Sequence, residues 1–173
     1  YLGPGVEKED VETVLSQAAA NPDLVVEREF DDRRLARLLA AGMVVGRCMD
    51  RMEFGQRALG NRSILADPTI PDMVPKINAK IKNRDFWMPF APVVMAPYAD
   101  RYLVNPKNIY APHMTIAFAT TAAGNQAMKA ACHPADRTAR AQVLAKEENP
   151  GLYSILEAFR QLTGRPALLN TSF

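Results

Sequence analysis

The sequence predicts an α/β (α+β) domain in which helices flank a twisted mixed sheet, and three observations predict it. Helical and strand-like segments are interspersed along the chain instead of being segregated into blocks. Of the 173 residues, 48% are hydrophobic and 23% charged, enough apolar mass for a substantial core. The proline-rich stretches between 89 and 112 fall among apolar runs, as loops and strand edges of one unit, with no repeat, low-complexity segment or linker around them.

The elements follow in order. Residues 8–20 (KEDVETVLSQAAA) predict a helix, with acids in its first turn and Asn21-Pro22 as its stop. Leu24 to Phe30 reads as a strand. Asp31 or Asp32 then caps a second helix whose Leu35, Leu38 and Leu39 share a face, and Gly42 ends it. Met43-Val44-Val45-Gly46 predicts a buried strand leading into a polar loop. Residues 72–82 predict a helix with Met73, Ile77 and Ile81 on one face, and 91–96 and 114–119 predict strands. The clearest helix begins at Pro150, carries Leu152, Ile155, Leu156 and Phe159 at helical spacing, and stops before Gly164. Ala167-Leu168-Leu169 then makes a short buried strand running into Asn170-Thr171-Ser172.

Composition narrows the function classes. A formal net charge of +2 does not indicate a uniform nucleic-acid-binding field, so no nucleic acid is expected as a partner. Cys48 and Cys132 stand alone without C-x-x-C spacing, which argues against a cysteine zinc site and suits reduced, mostly buried thiols. With no apolar stretch of about 18 residues and no signal peptide, a cytoplasmic location without membrane partners is expected. A start at Tyr1 and a stop after a strand-like run suggest a segment of a longer polypeptide.

Four polar clusters sit at ends of apolar elements. The loop RMEFGQRALGNRSILADP (51–68) holds Arg51, Arg57 and Arg62 with Asn61 and Ser63. The stretch INAKIKNRDFWMPFAP (77–92) holds Lys80, Lys82 and Arg84, and HPADRTARAQV (133–143) holds His133, Asp136, Arg137, Thr138 and Arg140. LLNTSF (168–173) closes the chain. Guanidinium forks suit phosphate or carboxylate, a lysine supplies a compact charge, and Asn and Ser orient a small amide or carboxylate. Each charge-assisted hydrogen bond contributes roughly 1.5–3 kcal/mol, so several converging on one small anion would hold it despite desolvation. No Ser–His–Asp pattern, catalytic carboxylate pair, H-E-x-x-H, Walker loop or G-x-G-x-x-G is present. Chemistry here would rest on positioning and charge stabilisation, as in phosphoryl or nucleotidyl transfer. Plainer readings compete: surface salt bridges for the arginine loop, a helix C-terminus for the lysines, a structural role for His133, core positions for Trp87 and Phe90, and a helix cap for Asn170-Thr171-Ser172.

The four segments resemble the C-terminal, YrdC-like domain of the O-carbamoyltransferases of antibiotic and nodulation-factor biosynthesis. That family carries a stretch like GRMEFGPRALGNRSILADP, an IKxRE-type helix end leading to PFAP, a D-G-T-x-R-x-Q segment and a closing TGxPxxLNTSFN. Here they stand in the same order as RMEFGQRALGNRSILADP, IKNRDFWMPFAP, DRTARAQ and TGRPALLNTSF, after an opening YLGP that also fits. The resemblance covers essentially residues 1–173 and implies one carbamoyltransferase C-terminal domain of YrdC-like fold, preceded in the full chain by a metal-binding Kae1-like domain. It implies binding of carbamoyl phosphate and ATP, with Mg2+ on the ATP phosphates, and formation of carbamoyl adenylate for transfer to an acceptor hydroxyl. Carried over by position, Arg57, Lys82 and Arg140 are the expected phosphate ligands, and Asn170 and Ser172 hold the carbamoyl end. Arg57 and Lys82 lie closest to the chemistry.

The chain departs from the pattern at Asp50 and Arg137, where the family has glycine, at Gln56, where it has proline, and at Met88, where many members have a basic residue; one phosphate contact is then either missing or supplied by Arg84, and Arg137 either fills that gap or only covers the surface. His133 stands one position before the family's histidine. A basic-surface RNA-binding module and a non-catalytic docking domain are the alternative readings, and a homodimer is compatible with the sequence.

Overall fold

The computed structural model describes residues 1–82, Asp85 and residues 88–173. Among them, helices α1 (Lys8–Ala19) and α2 (Asp32–Ala40) precede strands β1 (Val45–Cys48) and β2 (Arg62–Ala66). Helix α3 (Met73–Ile77) runs into a π-helical turn, Asn78–Lys82, ahead of β3 (Ala91–Met95). After α4 (Ala99–Tyr102) come β4 (Leu103–Val104), β5 (Phe118–Thr120), α5 (Ala122–Ala127), β6 (Thr138–Ala139) and β7 (Gln142–Leu144). Helix α6 (Pro150–Thr163) and strand β8 (Ala167–Ser172) complete the order.

The expected mixed α/β class is what the chain adopts. The main sheet has the order β1-β2-β8-β3-β7, antiparallel except for the parallel β3–β7 pair, and β4-β5-β6 form a small antiparallel sheet. The ALLNTS run of β8 alternates, so Leu168, Asn170 and Ser172 share one face and Ala167, Leu169 and Thr171 the other. The first face packs against α2 and α6 through Leu39, Leu65, Val93, Leu144, Leu156, Phe159 and Leu168. The opposite face buries Ile64, Ala66 and Leu169 against Met73, Ile77 and Phe90. Burying a large apolar side chain contributes about 1.5–3 kcal/mol, so these layers fix the sheet whose end carries the polar residues.

Asp31, and not Asp32, caps α2, accepting from Arg34 N–H at 2.8 Å. Asn149 caps α6 and Gly164 ends it in the left-handed conformation, φ 74°. Phe90 is core, as expected; Trp87 and Arg84 lie outside the described residues.

Several expectations need correction. No strand forms over 24–30: Leu24, Val25 and Phe30 are exposed, and Glu27 and Arg28 are engaged in ion pairs with Arg34 and Glu12. The strand expected over 43–46 is shifted to Val45–Cys48 and is an edge strand, with Gly46 and Cys48 exposed. The helix expected over 72–82 changes to π register at Asn78, which breaks the 3.6-residue period and leaves Ile81 48% exposed instead of beside Met73 and Ile77. Only Phe118–Thr120 of the region near 114–119 is strand, because β6 offers a partner no longer than two residues. Cys132 is buried, as expected, but Cys48 is exposed on the edge strand.

Candidate functional site

The three arginines of the loop divide by role. Arg51 donates through Nε to Gly3 O at 3.0 Å and through Nη2 to Leu2 O at 3.0 Å. Arg62 donates to the carbonyls of Met49, Asp50 and Asn61. Both guanidinium groups are therefore spent on holding backbone. Arg57 is exposed at the tip of the loop and makes no hydrogen bond or ion pair with a described residue.

The loop is seated on a buried polar network that the sequence reading missed. Glu53 Oε1 accepts from the N–H groups of Leu59 (2.7 Å), Asn61 (2.8 Å) and Arg62 (3.5 Å). Asn61 Nδ2 donates to Arg51 O, while its Oδ1 accepts from Arg47 Nη1 at 2.8 Å and Asn149 Nδ2 at 2.9 Å. Gln142 Nε2 donates to Leu59 O, and the Tyr1 hydroxyl donates to the same carbonyl. Arg47 is 7% exposed, also donates to Gly60 O, and has its pKa lowered by burial. Burial raises the pKa of Tyr1. Gly60 adopts φ 124°, and a Cβ there would lie 2.6 Å from Leu152 Cδ2 and 2.8 Å from Asn149 Nδ2, so glycine is required on both counts. One signal in the sequence was available: Glu53 is the sole acid between Arg51 and Asp67, inside a loop of donors.

The terminal motif lies beneath this loop. Asn170 is fully buried, and its Nδ2 donates to Ala58 O at 3.2 Å and Gln142 Oε1 at 2.9 Å. Both amide hydrogens are thereby used inside the protein, which leaves Oδ1, buried and without a partner, as the free end of the side chain. Ser63 Oγ, on the strand position directly opposite Ser172, is likewise buried without a partner. Lys82 Nζ donates to Ser172 Oγ at 3.0 Å across 90 residues of sequence.

Two clefts meet at Arg57. One, of about 530 Å³, is lined by Arg57, Met88, Pro89, Phe90, His133 and Arg140 among others. The other, also about 530 Å³, runs past Arg57, Glu53, Arg62, Ser172 and Phe173. The expected residues are thus gathered around the loop, though not in one cavity. Arg140 lines the first cleft together with Arg57, Ser172 and through it Lys82 belong to the second, and Asn170 ties the loop down through Ala58 O. Arg84 falls outside the described residues.

His133 Nδ1 is 3.3 Å from both Ala135 N and Asp136 Oδ1, so it accepts from the amide when neutral and pairs with the carboxylate when protonated. Asp136 itself is held below the usual carboxylate range, first by the Thr138 N–H and then by the Thr138 hydroxyl. Arg137 adopts φ 58° where glycine stands in the resembled pattern, and its carbonyl accepts from Thr120 Oγ1. A further cleft of about 510 Å³, lined by Lys129, His133 and Arg137, adjoins the first through Met88 and Pro89. Among the described residues no three His, Cys, Asp or Glu side chains cluster as a metal site, and no helix is long and apolar enough to cross a membrane.

What such a site can do is bind an anion: cationic side chains lining a cleft, a hydroxyl at the strand end, and a braced backbone beneath. The family described as "Carbamoyltransferase C-terminus" matches residues 36–173. Nodulation protein NolO of Bradyrhizobium diazoefficiens is 37% identical over 175 residues, covering all of this chain and 32% of NolO. The 3'-hydroxymethylcephem-O-carbamoyltransferase of Streptomyces clavuligerus is 34% identical over 143 residues, 83% of this chain and 26% of that enzyme. Nodulation protein U of Rhizobium tropici is 33% identical over 139 residues, 80% of this chain and 23% of that protein. The chain spans about a third or less of the length of these relatives. With both clefts built from the segments that fall inside the matched region, the chain belongs to the carbamoyltransferase C-terminus family.

Proposed function

We propose that this chain is the carbamoyl-phosphate- and ATP-binding part of an O-carbamoyltransferase and that it forms carbamoyl adenylate. The observation that carries this reading is Arg57, an exposed guanidinium on a braced loop at the junction of two clefts, with Arg140 lining one and Ser172, bonded to Lys82, in the other. Arg57, Lys82 and Arg140 neutralise phosphate. Ser172 and the unpartnered Oδ1 of Asn170 orient the carbamoyl end, the oxygen accepting from its NH2.

In the proposed sequence, water cleaves carbamoyl phosphate to carbamate and inorganic phosphate. A carbamate oxygen then attacks the ATP α-phosphorus; the new P–O bond forms as the α–β phosphoanhydride bond breaks, and pyrophosphate leaves. The side chains supply no nucleophile; they hold the anions against their mutual repulsion and stabilise charge on the phosphoryl oxygens. The donor set fits polyphosphate. Mg2+ would ride on the phosphates of ATP, since the described residues offer no cluster of ligands for it.

The remaining step, transfer to an acceptor hydroxyl, falls in this reading to a preceding Kae1-like, metal-binding part of the same polypeptide. Exposed Met52 and Phe173 line the Ser172 cleft, and the neighbouring Phe54 of the same loop is 85% exposed; together they give such a neighbour an apolar seat. The test is carbamoyl-phosphate-dependent ATP–pyrophosphate exchange by the full-length protein. Exchange should be lost in Arg57→Ala and in Lys82→Ala; undiminished exchange in both variants refutes the assignment.

A further inference from the structure

The one acid of the arginine loop invites two roles. Glu53 lines the Ser172 cleft and also a neighbouring cleft of about 380 Å³ shared with Arg57, Tyr1 and His113, so a carboxylate acting directly on a bound substrate is one reading. Its bonding points elsewhere. We propose that Glu53 is a positioning residue, the clasp that sets where Arg57 presents its guanidinium; this rests on the anion-binding reading of the site given above.

Oε1 of Glu53 collects three backbone N–H groups, from Leu59, Asn61 and Arg62, six to nine residues further along the chain. That closes residues 53–62 into a loop with Arg57 near its middle. Glu53 is 9% exposed, so these donors would otherwise be left without a partner in a largely dry site. The two ends are braced independently. Asn170 holds Ala58 O, immediately after Arg57, and Gln142 and Tyr1 hold Leu59 O. On the other side the segment Tyr1–Pro4 straps the loop's start: Gly3 N donates to Met52 O, Met52 N donates to Pro4 O, and Arg51 binds the carbonyls of Leu2 and Gly3. Arg57 itself has no described partner to fix it, so its place is set by the backbone that Glu53 closes. Glu53 Oε1 is committed to backbone by bonds at 2.7 and 2.8 Å, so any direct action on a substrate would fall to Oε2, and a glutamine variant separates the two.

The test uses the full-length protein, with Glu53→Ala and Glu53→Gln compared in two measurements. Glutamine keeps a carbonyl oxygen that accepts from Leu59 and Asn61 N–H; alanine does not. Hydrogen exchange at the Leu59 and Asn61 amides should quicken about tenfold or more in Glu53→Ala, the loss of one charge-assisted bond, and stay near wild type in Glu53→Gln. The KM for carbamoyl phosphate should rise toward a hundredfold in Glu53→Ala, the scale of an ångström of misplacement, with most of it recovered in Glu53→Gln. Glu53→Gln as inactive as Glu53→Ala, with both loops protected, would make the carboxylate a direct participant and overturn the proposal. Unchanged exchange in Glu53→Ala would overturn it as well. If wild type neither binds nor turns over carbamoyl phosphate, the reading of the site fails and this proposal about Arg57 fails with it, whereas exchange changes without a KM change refute the proposal alone.

Discussion

Replacing Asn149 by alanine removes three hydrogen bonds at the point where α6 meets the arginine loop. Its Oδ1 accepts from Leu152 N–H at 3.0 Å as the helix cap, and its Nδ2 donates to Asn61 Oδ1 at 2.9 Å and to the Tyr1 hydroxyl at 3.0 Å. Loss of a cap of this kind costs about 1 kcal/mol. The two amide bonds add roughly 1–2 kcal/mol together, toward the lower end because Asn61 Oδ1 keeps Arg47 and the Tyr1 hydroxyl keeps Leu59 O. Asn149→Ala should therefore destabilise by about 2–3 kcal/mol, lowering Tm by about 4–12 °C for a chain of this size. Asn149→Asp separates the contributions. It retains the cap, with a charge suited to a helix N-terminus, but turns an acceptor toward Asn61 Oδ1, so it should regain only about 1 kcal/mol. Thermal and urea melts of the three proteins decide it. Asn149→Asp as damaging as Asn149→Ala would show that the cap contributes nothing, and a loss below about 0.5 kcal/mol in Asn149→Ala would refute the network.

Three further outcomes follow from the packing and charges. Gly124→Ala would place a Cβ 2.1 Å from the carbonyl oxygen of Tyr102, a backbone atom that cannot swing away, so α5 must shift at a cost of about 3 kcal/mol or more, seen as a lower urea midpoint. Arg165→Met leaves Asp67, 2% exposed, without a counter-charge on Oδ2 while Oδ1 keeps the Thr69 N–H and hydroxyl, and should cost about 2–4 kcal/mol by the same assay, toward the low side for a buried pair because Arg165 is 31% exposed. Glu157 is held at a pKa of about 2, below its ordinary 4.5, chiefly by its hydrogen bonds from Arg160. A depressed folded pKa contributes stability above pH 4.5 that is lost as pH falls toward 2, so Glu157→Gln should flatten the acid limb of a Tm–pH curve in that window, and only slightly, because the pair is partly solvated.

The parts of this molecule readable in the sequence are those in which local pattern and tertiary packing agree. Helix α6 carried every signal at once, from Pro150 and its apolar stripe to Gly164, and it forms as expected. Asn170 and Ser172, two apart, share a strand face as spacing requires. Leu24–Phe30 has strand-like composition but no neighbouring strand, and composition alone cannot supply one. Ile81 lost its place because a π turn shifts the register after Asn78, a change no periodicity encodes. At the site, the residue types that bear charge were legible, but the division among the arginines was not. Whether a guanidinium faces solvent or grips the carbonyls of Leu2 and Gly3 depends on chain that is distant in sequence. The bonds that Gln142 and Asn149 add to the brace were invisible for the same reason, spanning 83 residues to Leu59 and 88 and 148 to Asn61 and Tyr1. Glu53 bonds locally and was legible only as the lone acid among the loop's donors.

The most direct measurement is a crystal structure of the full-length protein with carbamoyl phosphate. The account predicts phosphate oxygens within about 2.7–3.2 Å of the Arg57 guanidinium and of Lys82 Nζ, at the junction of the two clefts. Phosphate density elsewhere, with Arg57 and Lys82 turned to solvent, would contradict it.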